Sequence, residues 1–442
     1  MEGNDRFGSH NKWLLSRRAM QTRLKVGVNS KPRLLVAKGC FDPTGGAERD
    51  VMRCLRSLSE QFEVSVATLR PSKEITKICA DLGLTLLSPD VPWVVPTGIL
   101  NEVLHRKQRA SFQAWNSLRG IKKELEKVDG IHLVSGDGSL GLLRIVPPEK
   151  PLHVHYLEPD RGLHEWVLHL DLQGRPKRPE ILTSIALGFA RFSDKRIVRK
   201  YLNRKNVVVS ANSTYSSNIF ESIYGFKAGI IRPTVSSSEF TERQTDEEEG
   251  AWKEVEDLPE PPWVVTIGGF SWVKGVWECI TMLKGSGVGL VVVGRGSDDD
   301  LHALKEHAKD MDVELWVYSN LDLSQLIATM RRSRAVISMA HGEPFGLTAI
   351  EALSVGVPAL FVDEGGFRDS IVEQECGRLL PRDDRESWHA AIEQAGDPET
   401  AKRWGENGRS RISNLRLDPD SQAEFIYRAL FPNRSPIEIE EE

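Results

Sequence analysis

Short apolar runs, each followed by a polar or glycine-containing turn and then a helical stretch, recur through the whole chain. Apolar runs that alternate with helices in this way are typical of parallel strands covered on both faces. The pattern therefore predicts an α/β fold built on doubly wound parallel sheets. The predicted strands lie at residues 34–37, 64–69, 130–134, 152–156, 207–210, 263–267, 290–293, 315–317, 335–337 and 359–362.

An acidic stretch that runs into a group of prolines interrupts this pattern at residues 236–261. Its surplus of carboxylates and its prolines predict a linker or insertion between two domains. Two Rossmann-like domains in tandem leave a central cleft at the carboxyl ends of their strands, where such sheets bind ligands. We expect a basic, disordered tail over 1–32, a first domain over 33–235, a second domain over 262–417, a helix over 418–431 that packs back onto the first domain, and an acidic tail over 432–442.

Composition excludes several broad classes of protein. Of 442 residues, 58 are lysine or arginine and 63 are aspartate or glutamate, a balance that argues against a nucleic-acid-binding protein. The 5 cysteines form no CxxC pair, which argues against a zinc site or a disulfide scaffold and favours a reducing compartment. No apolar run approaches the ~18 residues of a membrane-spanning helix. We expect a cytoplasmic protein, with peripheral contact at the inner face of the membrane as an open alternative.

Three glycine-containing turns are each predicted to connect a strand to a helix. Glycine lets the backbone approach a ligand closely, and the following helix offers unpaired N–H groups and the positive end of its dipole to an anion. Three such turns in one chain favour a phosphorylated ligand, although many loops of this kind bind nothing. The turns contain Gly45-Gly46, Gly268-Gly269 (with Lys274-Gly275 leading into the next helix) and Gly365-Gly366.

A pair of acidic residues marks the most specific segment of the chain. Glu343 lies just before a helix that is predicted to start at about Leu347, and Glu351 lies in the second turn of that helix. Carboxylates accept hydrogen bonds from sugar hydroxyls, and two at this spacing can hold hydroxyls on either side of an anion seated at the helix start. A solvated helix carboxylate is the alternative for Glu351, but its apolar neighbours disfavour it because a partly buried acid needs a partner.

These motifs together closely resemble the family 4 retaining glycosyltransferases, which have the GT-B fold. The resemblance covers residues 33–430 and is strong in the second half and looser in the first. It specifies the fold and the donor class and leaves the acceptor open. The matching segments are Gly45-Gly46-Ala47-Glu48, Lys274-Gly275, Glu343 to Glu351 with its Pro344-Phe345-Gly346-Leu347 loop, Gly365-Gly366-Phe367-Arg368 and Cys376-Gly377.

The resemblance implies that a nucleoside-diphosphate sugar binds mainly to the second domain as a co-substrate, with no other cofactor and no metal ion. The predicted catalytic residues in this domain are Lys274, which would contact the diphosphate, and Glu343, which would hold the donor sugar. Glu351 would bind the ribose hydroxyls. The predicted reaction is transfer of a hexosyl unit to an acceptor hydroxyl with retention of the anomeric configuration. The remaining predicted substrate-binding residues are Gly45, Gly46, Arg295, Phe345, Gly346, Leu347, Gly365 and Gly366.

A histidine-containing run from His153 to Arg161 resembles a loop that faces the donor sugar in this family. We expect strand alternation to place one of its two histidines inward and the other toward a neighbour. On that basis His155, rather than His153, is the predicted catalytic histidine. A purely structural histidine at a strand end is the alternative.

The chain departs from the family pattern at one position. The family usually carries an arginine five residues before the phosphate-binding lysine, where this chain has Gly269. Loss of a charge-assisted contact without replacement would cost about 1.5–3 kcal/mol. The alternative function is therefore a weak or inactive nucleotide-sugar-binding partner of an active transferase, and another GT-B enzyme such as an epimerase or phosphorylase is a third class. Candidate replacements for the arginine are Arg295, Lys38, Arg161 and Arg232.

The acceptor is predicted only by class, as a glycan or a lipid-linked saccharide. Two basic stretches of the first domain, at residues 104–109 next to Phe112 and Trp115 and at residues 191–200, could rest on anionic headgroups. Such contact would give access to a lipid-linked acceptor. A solvated helix face is the alternative for both stretches.

Overall fold

The computed structural model describes residues 31–96, 106–235 and 262–433, together with positions 240, 250, 251 and 255. Two parallel sheets with helices on both faces make up these residues, which confirms the prediction of a doubly wound α/β fold with two Rossmann-like units. The predicted basic tail, acidic linker and acidic tail lie almost entirely outside the described residues.

The first sheet has seven strands in the order β3-β2-β1-β4-β5-β6-β7, and all neighbouring strands are parallel. The strands are β1 (Arg33–Lys38), β2 (Glu63–Ala67), β3 (Thr85–Leu87), β4 (Gly130–Val134), β5 (Leu152–His155), β6 (Val207–Ala211) and β7 (Gly229–Ile230). The helices are α1 (Gly46–Gln61), α2 (Lys73–Asp81), α3 (Arg106–Ser117), α4 (Ile121–Lys127), α5 (Arg161–His164), α6 (Glu180–Leu202) and α7 (Thr214–Tyr224).

The second sheet has six strands in the order β10-β9-β8-β11-β12-β13, also parallel. Its strands are β8 (Trp263–Ile267), β9 (Gly289–Val293), β10 (Leu315–Tyr318), β11 (Val336–Ser338), β12 (Ala359–Val362) and β13 (Gly377–Leu380). The helices that follow β8 in the chain are α8 (Val276–Leu283), α9 (Asp298–Asp310), α10 (Leu323–Arg332), α11 (Leu347–Val355), α12 (Phe367–Ser370), α13 (Arg385–Ala395), α14 (Pro398–Asn414) and α15 (Pro419–Leu430).

The central strands form because their side chains are apolar on both faces. Leu34, Leu35 and Val36 of β1 are fully buried, as are Trp263 and Val264 of β8. A strand that helices cover on both sides removes every side chain from water, at roughly 25 cal/mol per Å² of apolar surface. Helices on both faces therefore make the two sheets the cores of two domains.

Helix α15 packs against the first domain, although it follows the second domain in the chain. Its Ile426 and Tyr427 belong to the same buried cluster as Leu55 of α1. Beside them the Asp50 carboxylate accepts hydrogen bonds from the backbone N–H (2.5 Å) and the hydroxyl (2.8 Å) of Thr234. Helix α15 thus connects the second domain to the first.

Among the described residues, no helix has both the length and the apolar character needed to cross a bilayer.

Candidate active site

The loops at the carboxyl ends of the two sheets meet at the cleft between the domains. The Arg161 guanidinium donates a hydrogen bond to the His341 carbonyl at 2.7 Å, and the Ser216 hydroxyl donates one to the Pro344 carbonyl at 3.1 Å. Gly46 approaches the second domain so closely that a Cβ at this position would lie 3.1 Å from the Leu347 side chain. The predicted turn at Gly45-Gly46 therefore lies opposite the start of α11.

The loop before α11 depends on glycines with different roles. Gly346 has φ +86°, and a Cβ there would lie 2.5 Å from the Phe367 ring, so this position accepts only glycine without strain. Gly366 donates its N–H to the Glu343 carbonyl at 2.7 Å, and a Cβ on it would lie 2.5 Å from the Phe345 Cα. The predicted binding residues Gly365 and Gly366 thus lie directly against the backbone of this loop.

An ion pair stands at the edge of the cleft in the second domain. The Lys274 ammonium lies 2.8 Å from the Glu343 carboxylate. Lys274 ends a short 3₁₀ turn, and Gly275 follows it with φ +67°, at a point where a Cβ would lie 2.2 Å from the Met339 carbonyl oxygen. The close contact of two loops therefore brings the two predicted catalytic residues together from positions that are distant in the chain.

Glu351 lies on α11 and faces the first domain. Burial raises the pKa of its carboxyl group above the ordinary value, and the positive charges of Arg49 and Arg53 on α1 act against that rise. Among the described residues, Glu351 has no hydrogen-bond partner. A mostly buried carboxylate without a partner is costly to the folded protein, which argues against a solvated Glu351; its role in binding a ligand stays a prediction.

The first domain contributes Glu158 and Arg161 opposite this pair. Burial raises the pKa of Glu158 to about 7; the cation of Arg161 opposes this rise, and the like charge of Glu343 adds to it. The Arg161 guanidinium also pairs with Glu165 at 2.7 Å. The cleft therefore brings carboxylates and cations of both domains together, which suits a polar ligand that carries negative charge and hydroxyl groups.

Replacing Glu158 with glutamine is expected to flatten the dependence of stability on pH. The folded protein holds the Glu158 proton up to about pH 7, whereas the ordinary pKa is 4.5, so between these values the folded state binds more protons and the free energy of unfolding falls as pH rises. Thermal unfolding at several pH values between about 5 and 8 measures the slope. The exposed Glu149→Gln control should keep the wild-type slope, and a wild-type slope in Glu158→Gln would contradict the raised pKa.

The structure corrects the prediction that the two histidines of β5 point in different directions; a catalytic role for His155 stays a prediction. Residues two apart on a strand point to the same face, and both rings bond the Ser210 hydroxyl, His153 at 2.8 Å and His155 at 3.2 Å. Burial lowers the pKa of His155 to about 4, so its ring is neutral at pH 7. His155 lies below the cleft surface, and its buried Nε2 atom has no hydrogen-bond partner among the described residues. It is not one of the residues that line the large cavity of the first domain, which is described below.

Lys38 is a buried cation close to the two histidines of β5. Its ammonium donates a hydrogen bond to the Ser135 carbonyl at 2.9 Å and lies 3.1 Å from the Glu48 carboxylate. The other oxygen of Glu48 accepts the Gly45 N–H at 2.8 Å. Lys38 thus supports the glycine turn through Glu48, a role that its position at the end of a predicted strand could have indicated.

Arg295 lies beside the glycine that replaces the expected arginine. The Arg295 carbonyl accepts the Phe270 N–H at 3.1 Å, and a Cβ on Gly269 would lie 3.3 Å from the same oxygen. The Arg295 side chain is exposed and forms no ion pair with another described residue. Of the other three candidates, Lys38 pairs with Glu48 at 3.1 Å and Arg161 with Glu165 at 2.7 Å. Arg232 lies 4.0 Å from Asp369, and its buried Nε atom has no hydrogen-bond partner among the described residues.

A second polar cluster holds the loops of the second domain. Arg382 binds both oxygens of Glu364 (2.9 and 2.8 Å) and one oxygen of Glu278 at 3.0 Å. Glu278 also lies 2.6 Å from the His341 ring, which stacks on Trp272. Sequence reasoning missed this cluster because its members lie far apart in the chain and form no motif.

Two cavities open near these residues. The larger, of about 860 Å³, lies in the first domain, with Lys38, Glu158 and Arg161 among its lining residues. The smaller, of about 440 Å³, lies between the domains and is lined in part by Tyr215 and Glu364. The described part of the chain contains no group of three or more His, Cys, Asp or Glu side chains placed to hold a metal ion; metal independence stays a prediction.

Several side chains of the first predicted basic membrane contact are engaged within the first domain. Trp115 is fully buried and donates its indole N–H to the Gly138 carbonyl at 2.9 Å. Lys107 pairs with Asp137, and Phe112 lies under the Arg144 guanidinium. These side chains pack against the first domain, whereas Arg106 and Arg109 are exposed. Membrane contact of this stretch stays a prediction; residues 104 and 105 lie outside the described part of the chain.

Residues 248–411 match the family model described as "Glycosyl transferases group 1". This stretch contains most of the second domain, including Lys274, Glu343 and Glu351. The residues of the second domain that are predicted to bind the donor therefore lie within the stretch that matches the family model.

Curated relatives resemble the chain over a limited stretch. A glycogen synthase from Mycobacterium tuberculosis is 27% identical over 162 residues, which are 35% of this chain and 39% of that protein. A trehalose synthase from Pyrococcus horikoshii is 30% identical over 169 residues, 35% of this chain and 40% of that protein. A phosphatidyl-myo-inositol mannosyltransferase from Mycolicibacterium smegmatis is 33% identical over 107 residues, 24% of this chain and 27% of that protein. Each match spans less than half of the relative.

Solved structures resemble the chain over nearly its whole length. A glycosyltransferase from Rickettsia africae superposes with a TM-score of 0.64 at 16% identity, covering 91% of this chain and 100% of the other. HepE from Anabaena, solved in complex with UDP and glucose, superposes with a TM-score of 0.62 at 16% identity and the same coverage. These similarities confirm the predicted GT-B fold.

Proposed function

We propose that this chain is a retaining glycosyltransferase that moves a hexosyl unit from a nucleoside-diphosphate sugar to an acceptor hydroxyl. The observation that carries the proposal is the ion pair of Lys274 and Glu343 at the cleft, within the stretch that matches the family model. An ammonium group binds phosphate, and a carboxylate accepts hydrogen bonds from sugar hydroxyls. The pair can therefore bind both the diphosphate and the sugar of such a donor.

The diphosphate is proposed to lie between Lys274 and the start of α11. The first turn of that helix has backbone N–H groups free to bind an anion, and the Gly45-Gly46 turn approaches it at Leu347 from the first domain. Glu351 would bind the ribose hydroxyls, while Glu343 and the backbone at Phe345 to Leu347 would bind the donor sugar. The structure of HepE with UDP and glucose supports a nucleoside diphosphate as the leaving group.

In the proposed reaction the bond between the anomeric carbon and the leaving phosphate oxygen breaks, and the acceptor oxygen forms its bond on the same face. The acceptor proton passes to the departing phosphate. The reaction therefore needs no side-chain base, and the neutral, buried His155 is compatible with it. Fixed cations and N–H groups that stabilise the charge developing on the diphosphate would supply most of the acceleration. We propose neither a metal ion nor a further cofactor.

The acceptor is proposed to enter from the first domain. Its cavity of about 860 Å³ has room for a saccharide, and Glu158 and Arg161 stand where the cavity meets the donor-binding loops. We propose a glycan or a lipid-linked saccharide as the acceptor. A cytoplasmic location stays a prediction.

Nucleotide-sugar binding and product analysis test the proposal together. Thermal unfolding with a set of nucleoside diphosphates and their sugars identifies the donor, because a ligand at about 100 times its Kd adds about 2.7 kcal/mol to the stability of the folded state. NMR of the product then reports the anomeric configuration. Binding with no product from any acceptor would instead support the alternative, a nucleotide-sugar-binding partner, which Gly269 favours; an isomerised sugar would indicate an epimerase.

Replacing Arg295 with alanine is expected to lower the transfer rate about tenfold, because one charge-assisted contact to the diphosphate is lost. In that background Gly269→Arg should restore most of the rate, since position 269 adjoins Arg295. Initial rates at saturating donor measure both effects. The exposed Lys305→Ala on α9 serves as the control. A wild-type rate in Arg295→Ala would show that Arg295 does not replace the missing arginine.

A further inference from the structure

Helix α6 exposes a row of large apolar side chains on the surface of the first domain. Ile181, Leu182, Ile185, Phe189 and Phe192 are each between 63% and 75% exposed. Their spacing along the helix places them on one face, because residues three, four, seven, eight and eleven positions apart lie within a single stripe. We call these five residues the α6 face.

The opposite side of α6 fixes this orientation. Leu187 and Ala190 are buried against Leu163 of α5. Asp194, also buried, accepts a hydrogen bond from the Tyr224 hydroxyl at 2.8 Å and lies 2.9 Å from the His164 ring. The helix therefore cannot rotate its apolar stripe inward without breaking this packing.

Exposed cations stand at both ends of the α6 face. Lys177 and Arg178 precede the helix, and Arg196 and Lys200 continue the same stripe toward its C-terminal end. An apolar centre with basic ends is the pattern of helices that lie in the interface of an anionic bilayer. The second basic stretch predicted from the sequence is thus the end of a longer amphipathic surface.

We infer that the α6 face rests on an anionic membrane, with its apolar side chains at the boundary between headgroups and acyl chains. A second copy of the chain is a poorer occupant. A parallel pairing of two α6 helices would place Arg196 and Lys200 against their own counterparts, and an antiparallel pairing would place them near Lys177 and Arg178. Both arrangements bring like charges together at the rim of an apolar contact, whereas anionic headgroups neutralise both ends.

The cavity of the first domain lies directly behind this helix. Leu163 and Asp194, on the inner side, line the cavity, as do Lys177 and Arg178 just before the helix. A helix that lies on the bilayer would therefore hold the cavity entrance near the headgroups. If the chain transfers a sugar as proposed above, the acceptor class that this arrangement fits is a saccharide on an anionic lipid.

Co-sedimentation with vesicles tests the inference on the full chain. The wild type is expected to bind phosphatidylcholine vesicles that contain phosphatidylglycerol, and to bind pure phosphatidylcholine at least tenfold more weakly. The combined variant Ile185→Ser, Phe189→Ser, Phe192→Ser is expected to lose about tenfold or more in vesicle affinity, because three exposed apolar side chains no longer insert. Arg196→Glu with Lys200→Glu should lose affinity for the anionic vesicles only, and high salt should weaken binding likewise.

Two controls keep the result interpretable. Leu323→Ser removes an exposed apolar side chain from the second domain and should bind vesicles like the wild type. Donor-induced thermal shifts should stay unchanged in all α6 variants, which separates this inference from the proposed transferase function. Absence of wild-type binding to anionic vesicles would overturn the inference even if the donor shift persists. So would a wild-type dimer, detected by sedimentation equilibrium, that the triple serine variant dissociates.

Discussion

Replacing Lys274 with alanine is expected to slow glycosyl transfer by about 100-fold or more, the range found when one preorganised electrostatic donor is removed from a site of developing charge. The charge on the departing diphosphate is largest in the transition state, so the loss should appear mainly in kcat rather than in KM. The geometry supports this expectation because Glu343 holds the Lys274 ammonium at 2.8 Å, and Gly275, which follows Lys274, has a positive φ that glycine adopts without strain.

Steady-state rates with the identified donor measure the effect. Lys284→Ala removes an exposed lysine at the end of α8, in the same domain, and should leave kcat unchanged. Lys274→Arg retains the positive charge and should recover part of the lost rate. A wild-type kcat in Lys274→Ala would contradict the central role that we propose for Lys274.

Replacing Glu351 is expected to change donor binding and stability in opposite directions. Glu351→Ala removes the carboxylate that we propose binds the ribose, and loss of a hydrogen bond from a charged group predicts about 10- to 100-fold weaker donor binding. Because burial raises the pKa of Glu351 in the folded state, the ionised carboxylate destabilises the protein at pH values above that pKa. Glu351→Gln, which keeps the size and removes the charge, should therefore raise Tm in the absence of donor.

Isothermal titration with the donor and thermal unfolding without it give the two quantities separately. The exposed Glu306→Ala on α9 should alter neither. Weaker donor binding together with a higher Tm would indicate that Glu351 destabilises the folded protein but is needed to bind the donor, as is common at functional sites. A fall in both donor affinity and Tm would instead show that Glu351 has a structural role.

The central strands and the loop before α11 were the most predictable parts of the protein. The strand predicted at residues 359–362 and the helix predicted to start at Leu347 agree with β12 (Ala359–Val362) and α11 (Leu347–Val355). Parallel strands buried on both faces leave continuous apolar runs in the sequence, and Pro344 with Gly346 marks a tight loop just before the helix. Local patterns of this kind need no partner from elsewhere in the chain.

The histidines and the basic helices were less predictable, because their surroundings come from distant segments. Which way His155 faces depends on Ser210 of the neighbouring strand, and Trp115 is buried by a loop that contains Gly138. The exposed face of α6 could not be predicted either, because in the sequence its apolar residues look like the buried side of a helix. Only the packing of Leu187 and Ala190 shows which stripe is buried.

From the sequence alone came the class of fold, ten of the thirteen strands that the structure describes, and the glycine turns and acidic residues around α11, because each is encoded by neighbours along the chain. The three short strands β3, β7 and β13 were not predicted. Only the folded structure showed that Lys274 pairs with Glu343, that Lys38 and His155 are buried, and that α6 presents apolar side chains to the exterior. These properties are set by burial and by partners brought together from distant positions, and burial is a property of the whole folded chain.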